Sequence, residues 1–308
     1  MSQINDVVIV GAGPAGLAAS IYTGRARLAT LVLEKGLPGG QILLTDWIEN
    51  YPGFPNGVVP FQLMDDIRKQ AEKFGAKIET DEVNKIHKKK DLFSILGNKQ
   101  EYQALSVIIA TGSAYRRLGC KGESQFIGRG VSYCATCDGA FFKDRVVGVV
   151  GGGDNALTEV LFLTKFCQKA IVIHRRDQFR AEKILQERVF KNDKIEVLWN
   201  SSVEEILGGE KLESITIKNV KDNKISNLKL DGVFISIGTI PNTDFVKEFV
   251  NLDQNGQILV ERNMLTSQPG IFAAGDVTNA SPQQMAAAVG TGVIAALSVD
   301  EYLSQFEA

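Results

Sequence analysis

Two cysteines and an aspartate stand together in the stretch CATCD, as Cys134, Cys137 and Asp138. A thiol pair at this spacing admits half of a metal clamp, a structural staple, or a dithiol that moves electrons. A structural zinc takes a full set of Cys or His ligands, commonly as two paired clusters. The other cysteines, Cys120 and Cys167, are isolated, and the two histidines are His87 and His174, so no second cluster complements the first. A staple between residues so close in sequence closes a very short loop, and the chain-entropy gain is small. Redox exchange is the chemistry that uses the spacing. Residues i and i+3 share one side of a helical turn, and a helix N-terminus nearby lowers a thiol pKa. Nothing around Cys120 or Cys167 argues for chemistry, and both read as small buried apolar side chains.

Elements able to position such a pair occur twice along the chain. DVVIVGAGPAGLAASIYTGRA contains an apolar strand (Val7 to Val10), a turn with glycines at Gly11, Gly13 and Gly16, and a helix of small residues. A second strand, TLVLE, ends at Glu34. Downstream, DRVVGVVGGGDNALTEVLFLTKF repeats the plan with Gly151, Gly153 and Ala156, and KAIVIHRRD brings His174 to the same offset from Gly151 as Glu34 has from Gly11. Each copy continues into a β-meander and closes on an apolar strand ending in glycine, SVIIATG and GVFISIG. Glycines let the backbone approach a pyrophosphate, and the helix N-terminus offers free N–H groups with a partial positive charge. Two such units at equal spacing predict an α/β protein with two dinucleotide-binding, Rossmann-like domains, each a sheet layered between other elements.

The units differ where the second strand ends. Glu34 is an acceptor for ribose hydroxyls. In the other unit the strand ends in His174, Arg175 and Arg176, with Arg180 after them. Guanidinium groups grip a 2′-phosphate through charge-assisted bidentate hydrogen bonds, where a carboxylate would repel it. The first unit thus suits an adenine nucleotide without the extra phosphate, and the second suits NADP(H). The competing reading is that RRDQFRAEK opens a charged helix. A third element, FAAGDVTNASPQQMAAAVGTGVIAAL, predicts a strand over Gly270 to Ala273 and a helix from near Gln283. Asp276 there is placed to bond a polyol chain, and the element associates with the first unit.

With 44% apolar and 23% charged residues and a formal net charge of −2, the 308-residue chain is expected to be soluble and globular. It carries no field that would favour nucleic acid or acidic membranes. The run HKKK at 87–90, followed by Asp91, reads as a solvated hairpin turn. No signal peptide precedes Val7, and the apolar stretch Met285 to Leu297 is too short to span a bilayer. A cytoplasmic location is expected.

These motifs together resemble the low-molecular-weight thioredoxin reductases of the pyridine-nucleotide disulfide oxidoreductase class. The matching stretches are GAGPAGLAAS, GGQI with IENYPGFP, ATGS, RGVSYCATCDGAFF, GGGDNALTE, HRRDQFRAEKIL, IGTIPNT, and FAAGDV with QQMAAAVGTG. CATCDG between the nucleotide units separates this group from glutathione-reductase-like relatives. The resemblance implies FAD in a discontinuous domain (residues 1–116 and 243–308), NADPH in an inserted one (117–242), and a homodimer. Carried over, the FAD contacts are Gly11, Gly13, Gly16, Glu34, Gly40, Gln41, Asn50, Thr111, Asp276 and Gln284. The NADPH contacts are Gly153, Asp154, Asn155, His174, Arg175, Arg176 and Arg180, with Ile237 lining the slot. Asn155 replaces a usual Ser or Thr, Gln283 replaces a frequent Arg, and GLPGGQ lengthens the loop after Glu34.

The implied activity is electron transfer from NADPH to FAD to the Cys134–Cys137 disulfide, and from the dithiol to the disulfide of thioredoxin or a thioredoxin-like protein. The same resemblance sets Cys137 against the flavin, makes Cys134 the attacking thiolate, and makes Asp138 the acid/base, a role compatible with capping a helix in DGAFF. It also implies rotation of the inserted domain about strands near Ala114–Arg117 and Pro241–Asp244. Ferredoxin-fed relatives and dithiol oxidases of this fold typically lose the arginine-rich motif, which is intact here. A nucleotide-sensing module without turnover would have no use for CATCD.

Overall fold

The computed structural model describes residues 4–44, 48, 50–133 and 135–305. In chain order it runs β1 (Ile4–Val10), α1 (Pro14–Arg25), β2 (Thr30–Glu34), α2 (Pro60–Lys73), β3 (Lys77–Thr80), β4 (Val83–Lys89), β5 (Leu92–Gly97), β6 (Glu101–Ile109) and β7 (Ser113–Tyr115). There follow β8 (Val131–Ser132), α3 (Ala135–Asp138), β9 (Val146–Gly151), α4 (Asp154–Leu163), β10 (Lys169–Ile173), α5 (Lys183–Phe190) and β11 (Ile195–Leu198). Then come β12 (Ser201–Gly208), β13 (Leu212–Asn219), β14 (Ile225–Lys229), β15 (Gly232–Ser236), β16 (Thr239–Pro241), β17 (Ile271–Ala273) and α6 (Met285–Ser304).

The chain forms two units, residues 1–114 with 240–308, and 115–239. Against the expected boundaries, after 116 and 242, residues 115 and 116 pass to the second unit and residues 240–242 to the first. Tyr115 stacks on Tyr133 and the Arg116 N–H donates to Gly238 O, which ties both residues to the second unit. Asn242 belongs to the first, because its N–H donates to Gly112 O at 3.0 Å. Crossing strands β7 and β16 pair with each other.

The first unit holds a seven-stranded sheet in the order β3-β2-β1-β6-β5-β4, with β17 also beside β6. Strands β1, β2 and β6 read as near-continuous apolar runs because parallel strands are covered on both faces, and Val7, Val8, Ile9, Val107 and Ile108 are fully buried. Nine-residue β6 is long enough to take two partners on one edge. Its start pairs antiparallel with β5 (Phe93↔Ala104) and its end parallel with β17 (Phe272↔Ile108). One face is covered by α1 and α6, which meet through small residues. A methyl added at Gly292 would clash with the Ala15 carbonyl oxygen. Helix α6 is 20 residues long and apolar enough by length and composition to cross a membrane. Its apolar stretch therefore continues past the expected Leu297, and Ala288, Ala295, Ala296, Val299 and Leu303 pack into the core beside Leu17 and Ala19.

The second unit has a parallel sheet, β11-β10-β9-β15-β8, and a separate antiparallel sheet, β12-β13-β14. The two meanders of the sequence are therefore unlike. The first is continuous with the main sheet through β5 and β6, whereas the second stands apart. Strand β15 has five residues, takes β9 and β8 as neighbours, and has no edge left for β14. Ile206, Leu212 and Ile215 close one core with Ile171 and Val233, while Leu157, Val160 and Phe234 sit in the other on the helical side. The basic run 87–90 is mostly strand. His87, Lys88 and Lys89 pair with Ser94, Phe93 and Leu92, and only Lys90 (φ 61°) and Asp91 make the turn.

Candidate functional site

In the first unit the expected contact residues gather at the carboxyl ends of β1, β2, β6 and β17. Gly11 has φ +107°, a region that L side chains avoid, and the Ala110 carbonyl just after β6 lies against it. A methyl at Gly16 would strike the Gly11 carbonyl oxygen, which is how closely α1 sits on the turn. Gly13 is the N-cap of α1 and gives no side-chain cap, and Pro14 follows. The leading N–H groups of the helix are thus left for another acceptor. The Glu34 carboxylate accepts the Ala12 N–H at 2.8 Å and the Gly36 N–H at 3.0 Å, so the strand end and the glycine turn form one piece. Gly40 packs on Gly13 and opens a 3-10 turn, Gly40–Leu44. The expected lengthened loop therefore has regular structure.

Gln41 donates its side-chain amide to Ser113 O, and Asn50 donates to Gln284 Oε1 at 3.1 Å. Gln284 is the N-cap of α6 without a side-chain cap bond. The Thr111 hydroxyl donates to Asn242 O and the Asn242 amide returns a bond to Thr111 O, both at 2.8 Å. Thr111 thus acts locally as a staple, and its partner Asn242 lies in the stretch IGTIPNT, where the sequence did not show the pairing. Asp276 lies in a 3-10 turn after β17, where the Ser281 hydroxyl donates to it at 3.1 Å. Burial outweighs that bond and raises its pKa above the usual carboxylate value.

In the second unit Gly153 caps α4 with no side-chain bond and open space beside it. Asp154 accepts the Glu182 N–H at 2.7 Å, and the Arg180 N–H donates to Gly152 O at 2.8 Å. These bonds pin the segment after β10 to the glycine turn. RRDQFR is an irregular loop, and α5 begins only at Lys183, so the helix-opening alternative fails. Arg175, Arg176 and Arg180 are exposed, and among the described residues none forms an ion pair; Asp177 is taken by Lys221 at 3.2 Å. Asn155 is exposed beside them on α4, and Ile237 packs on the meander-side core.

His174 has a different place from its arginine neighbours. Its ring is buried against Phe179 and Trp199 and meets Gln178 O at 3.0 Å. A methyl at Gly152 would clash with it. Burial, ahead of the positive charge of Arg176 and Arg180, lowers its pKa, so it is neutral at pH 7. It packs beneath the arginine loop that is expected to hold the nucleotide.

The cysteine motif follows β8. Cys134 and the side chain of Cys137 lie outside the described residues. The backbone of Cys137 belongs to α3, a single helical turn. Asp138 is the N-cap residue of the next 3-10 turn, Gly139–Phe142, but makes no capping hydrogen bond. Among the described residues its carboxylate is thus not engaged in capping. Sequence reasoning missed what surrounds the turn. The Tyr133 hydroxyl donates to Glu123 at 2.6 Å, and Glu123, only 2% exposed, also accepts the N–H groups of Leu118 and Gly119. On α4, Glu159 bonds the Ala135 N–H and the Ser236 hydroxyl. Both glutamates sit in charged, helix-like or loop sequence where nothing marks them as buried.

Residues 5–292 match the family model described as pyridine nucleotide-disulphide oxidoreductase, and the chain belongs to that family. It is 44% identical over 309 aligned residues to a thioredoxin reductase of Listeria innocua, covering 99% of this chain and 96% of the relative. A crystal structure of Lactococcus lactis thioredoxin reductase superposes with a TM-score of 0.86 at 41% identity, covering 98% of this chain and 99% of the other. For the T. acidophilum enzyme the values are 0.83 and 37%, with 99% of each chain covered. The family resemblance and the α/β class with two Rossmann-like domains are thereby borne out.

Proposed function

We propose that this protein is an FAD-dependent thioredoxin-disulfide reductase driven by NADPH, with the Cys134–Cys137 pair as its redox centre. The observation that carries the reading is the contrast between its two glycine turns. One is bonded to a carboxylate, Glu34, and the other is joined to a loop with three arginines that form no ion pair among the described residues. The first arrangement fits the ribose and pyrophosphate of FAD: Gly11, Gly13 and Gly16 clear the approach, α1 leaves N–H groups free, and Glu34 retains lone pairs for hydroxyls. Gly40, Gln41, Asn50, Thr111, Asp276 and Gln284 would complete the cradle. The second fits NADPH: Gly153, Asp154 and Asn155 at α4 for the pyrophosphate, and Arg175, Arg176 and Arg180 for the 2′-phosphate. Ile237 lines the slot, and His174 holds the arginine loop from behind.

Bound FAD supplies a two-electron carrier between a hydride donor and a disulfide. Reduction of Cys134–Cys137 breaks the S–S bond and takes up two electrons and two protons, and Asp138 handles the proton of the thiol that must ionise. The Cys134 thiolate then attacks the thioredoxin disulfide, forming a mixed disulfide and releasing one thioredoxin thiolate. Cys137 attacks Cys134 Sγ, releases the second, and restores the internal disulfide. We assign a homodimer and a cytoplasmic location, and a rotation of the 115–239 unit about β7 and β16 between half-reactions.

The test is anaerobic, with purified protein, NADPH and oxidised thioredoxin. NADPH loss that requires thioredoxin and stops in Cys134→Ser, while the flavin is still bleached, is expected. Bleaching without reoxidation by thioredoxin would mean another disulfide acceptor. No bleaching would overturn the assignment of the arginine loop.

A further inference from the structure

Glu159 is a carboxylic acid for which the relay above has no use. It stands on α4 among Ala156, Val160 and Leu163, which are fully buried in the helical-side core. The N–H of Ala135, the residue that opens α3 between the two cysteines, and the side chain of Ser236 at the end of β15 both act on its carboxyl and favour its charged form. Its second oxygen, Oε2, is buried and has no hydrogen-bond partner among the described residues. Burial pushes the acid up to about 7, against the pull of both bonds. Tyr115 lies in its field and stacks on Tyr133 with ring centres 5.8 Å apart.

A single helical turn does not hold itself, because nucleation fixes several dihedrals for one hydrogen bond. The geometry of α3 is therefore set by what ties it down. Ala135 is fully buried beneath the turn, and its N–H is held by a side chain from another helix. A half-buried acid whose inner oxygen is orphaned is a poor choice for packing alone, since an apolar residue of equal size avoids the desolvation penalty.

We propose that Glu159 is a positioning residue for the dithiol: as hydrogen-bond acceptor for the Ala135 N–H it fixes the backbone of the turn that carries Cys137. This rests on the reading of CATCD as a redox centre. Glutamine preserves the acceptor, whereas methionine of similar length removes it.

The experiment compares Glu159→Gln and Glu159→Met in the full-length holoenzyme. In dithiothreitol-reduced protein, the rates of iodoacetamide alkylation at Cys134 and Cys137 are read by peptide mass spectrometry; turnover with NADPH and thioredoxin, and NADPH bleaching of the flavin, are measured in parallel. In E159M the ratio of the two alkylation rates is expected to change about fivefold or more, since thiolate reactivity follows local environment. Its kcat with thioredoxin is expected to fall roughly tenfold, as misplacement of reacting groups does. Flavin bleaching and the KM for NADPH stay near wild type, and E159Q stays near wild type throughout. An unchanged alkylation ratio in E159M overturns the proposal. So does a loss shared by flavin bleaching, an E159Q as impaired as E159M, or an E159M that fails to fold. If the wild-type protein does not turn over thioredoxin, the functional reading falls while the alkylation ratio still decides on Glu159.

Discussion

Three exposed arginines, the buried Glu123 and the half-buried Glu159 carry the residue-level chemistry. Among the described residues Arg175, Arg176 and Arg180 form no ion pair, Asp177 beside them being taken by Lys221, so their charge is available to a phosphate. A charged hydrogen bond is worth about 1.5–3 kcal/mol, so Arg175→Ala or Arg176→Ala is expected to raise the KM for NADPH roughly ten- to a hundredfold. The KM for NADH, which lacks the 2′-phosphate, should change little; steady-state kinetics with both nucleotides checks this. Glu159 makes a stability prediction separate from its positioning role. Its folded-state pKa, about 7, lies above the ordinary value of 4.5. The folded state therefore holds the proton more tightly between these values, and stability falls as pH rises from about 4.5 through 7. The cost reaches about 3 kcal/mol above pH 7. E159Q, which has no charge to bury, should melt a few degrees above wild type at pH 8 and close to it at pH 5, as thermal scans at both values would show. These two groups differ in legibility. The arginines were readable because their motif is local, whereas Glu159 meets the cysteine turn from a separate helix and Glu123 by a loop folding back on Tyr133, neither of which any motif marks.

At the scale of elements, each strand–turn–helix unit contains glycines whose neighbours leave no room for a methyl, Gly11 and Gly16 in one and Gly151 and Gly152 in the other. Gly152 is the informative one, since a Cβ there would meet the His174 ring, and the Arg180 N–H is bonded to its carbonyl. Gly152→Ala is expected to shift the ring and the loop together, raising the KM for NADPH at least severalfold with FAD content unchanged. Titration with NADPH and the flavin-to-protein absorbance ratio provide the check. The helices and parallel strands of both units followed from apolar runs and glycine spacing. The fate of the two meanders did not, because strand alternation is the same whether a neighbour is the main sheet or a separate layer. What distinguishes them is the length of the closing strand, nine residues in β6 against five in β15.

At the scale of the molecule, the 115–239 unit contains two core clusters made from its own residues. A separately expressed 115–239 chain is expected to melt cooperatively by circular dichroism and to be retained on a 2′,5′-ADP resin without flavin. A broad, non-cooperative melt would show that this unit depends on the other. The crossing strands β7 and β16 are three residues each and are the pivots proposed for rotation. A cross-link that locks the two units is expected to permit one half-reaction and stop multiple turnover, measured as a burst of NADPH oxidation without a steady state.

The sequence by itself determined the chemistry and the class of fold. Cys134, Cys137, the glycine turns and the arginine motif are short-range patterns whose spacing is dictated by a pyrophosphate, a helix or a disulfide, so they are legible without coordinates. Tertiary structure alone decided what those patterns rest on. It turned His174 inward against Trp199, left the arginines free, paired Thr111 with Asn242, and drew the boundaries at 114/115 and 239/240. It also brought a carboxyl from α4 to the backbone of the cysteine turn. Such contacts join residues distant along the chain, and burial, which sets their protonation, is a property of the packed molecule.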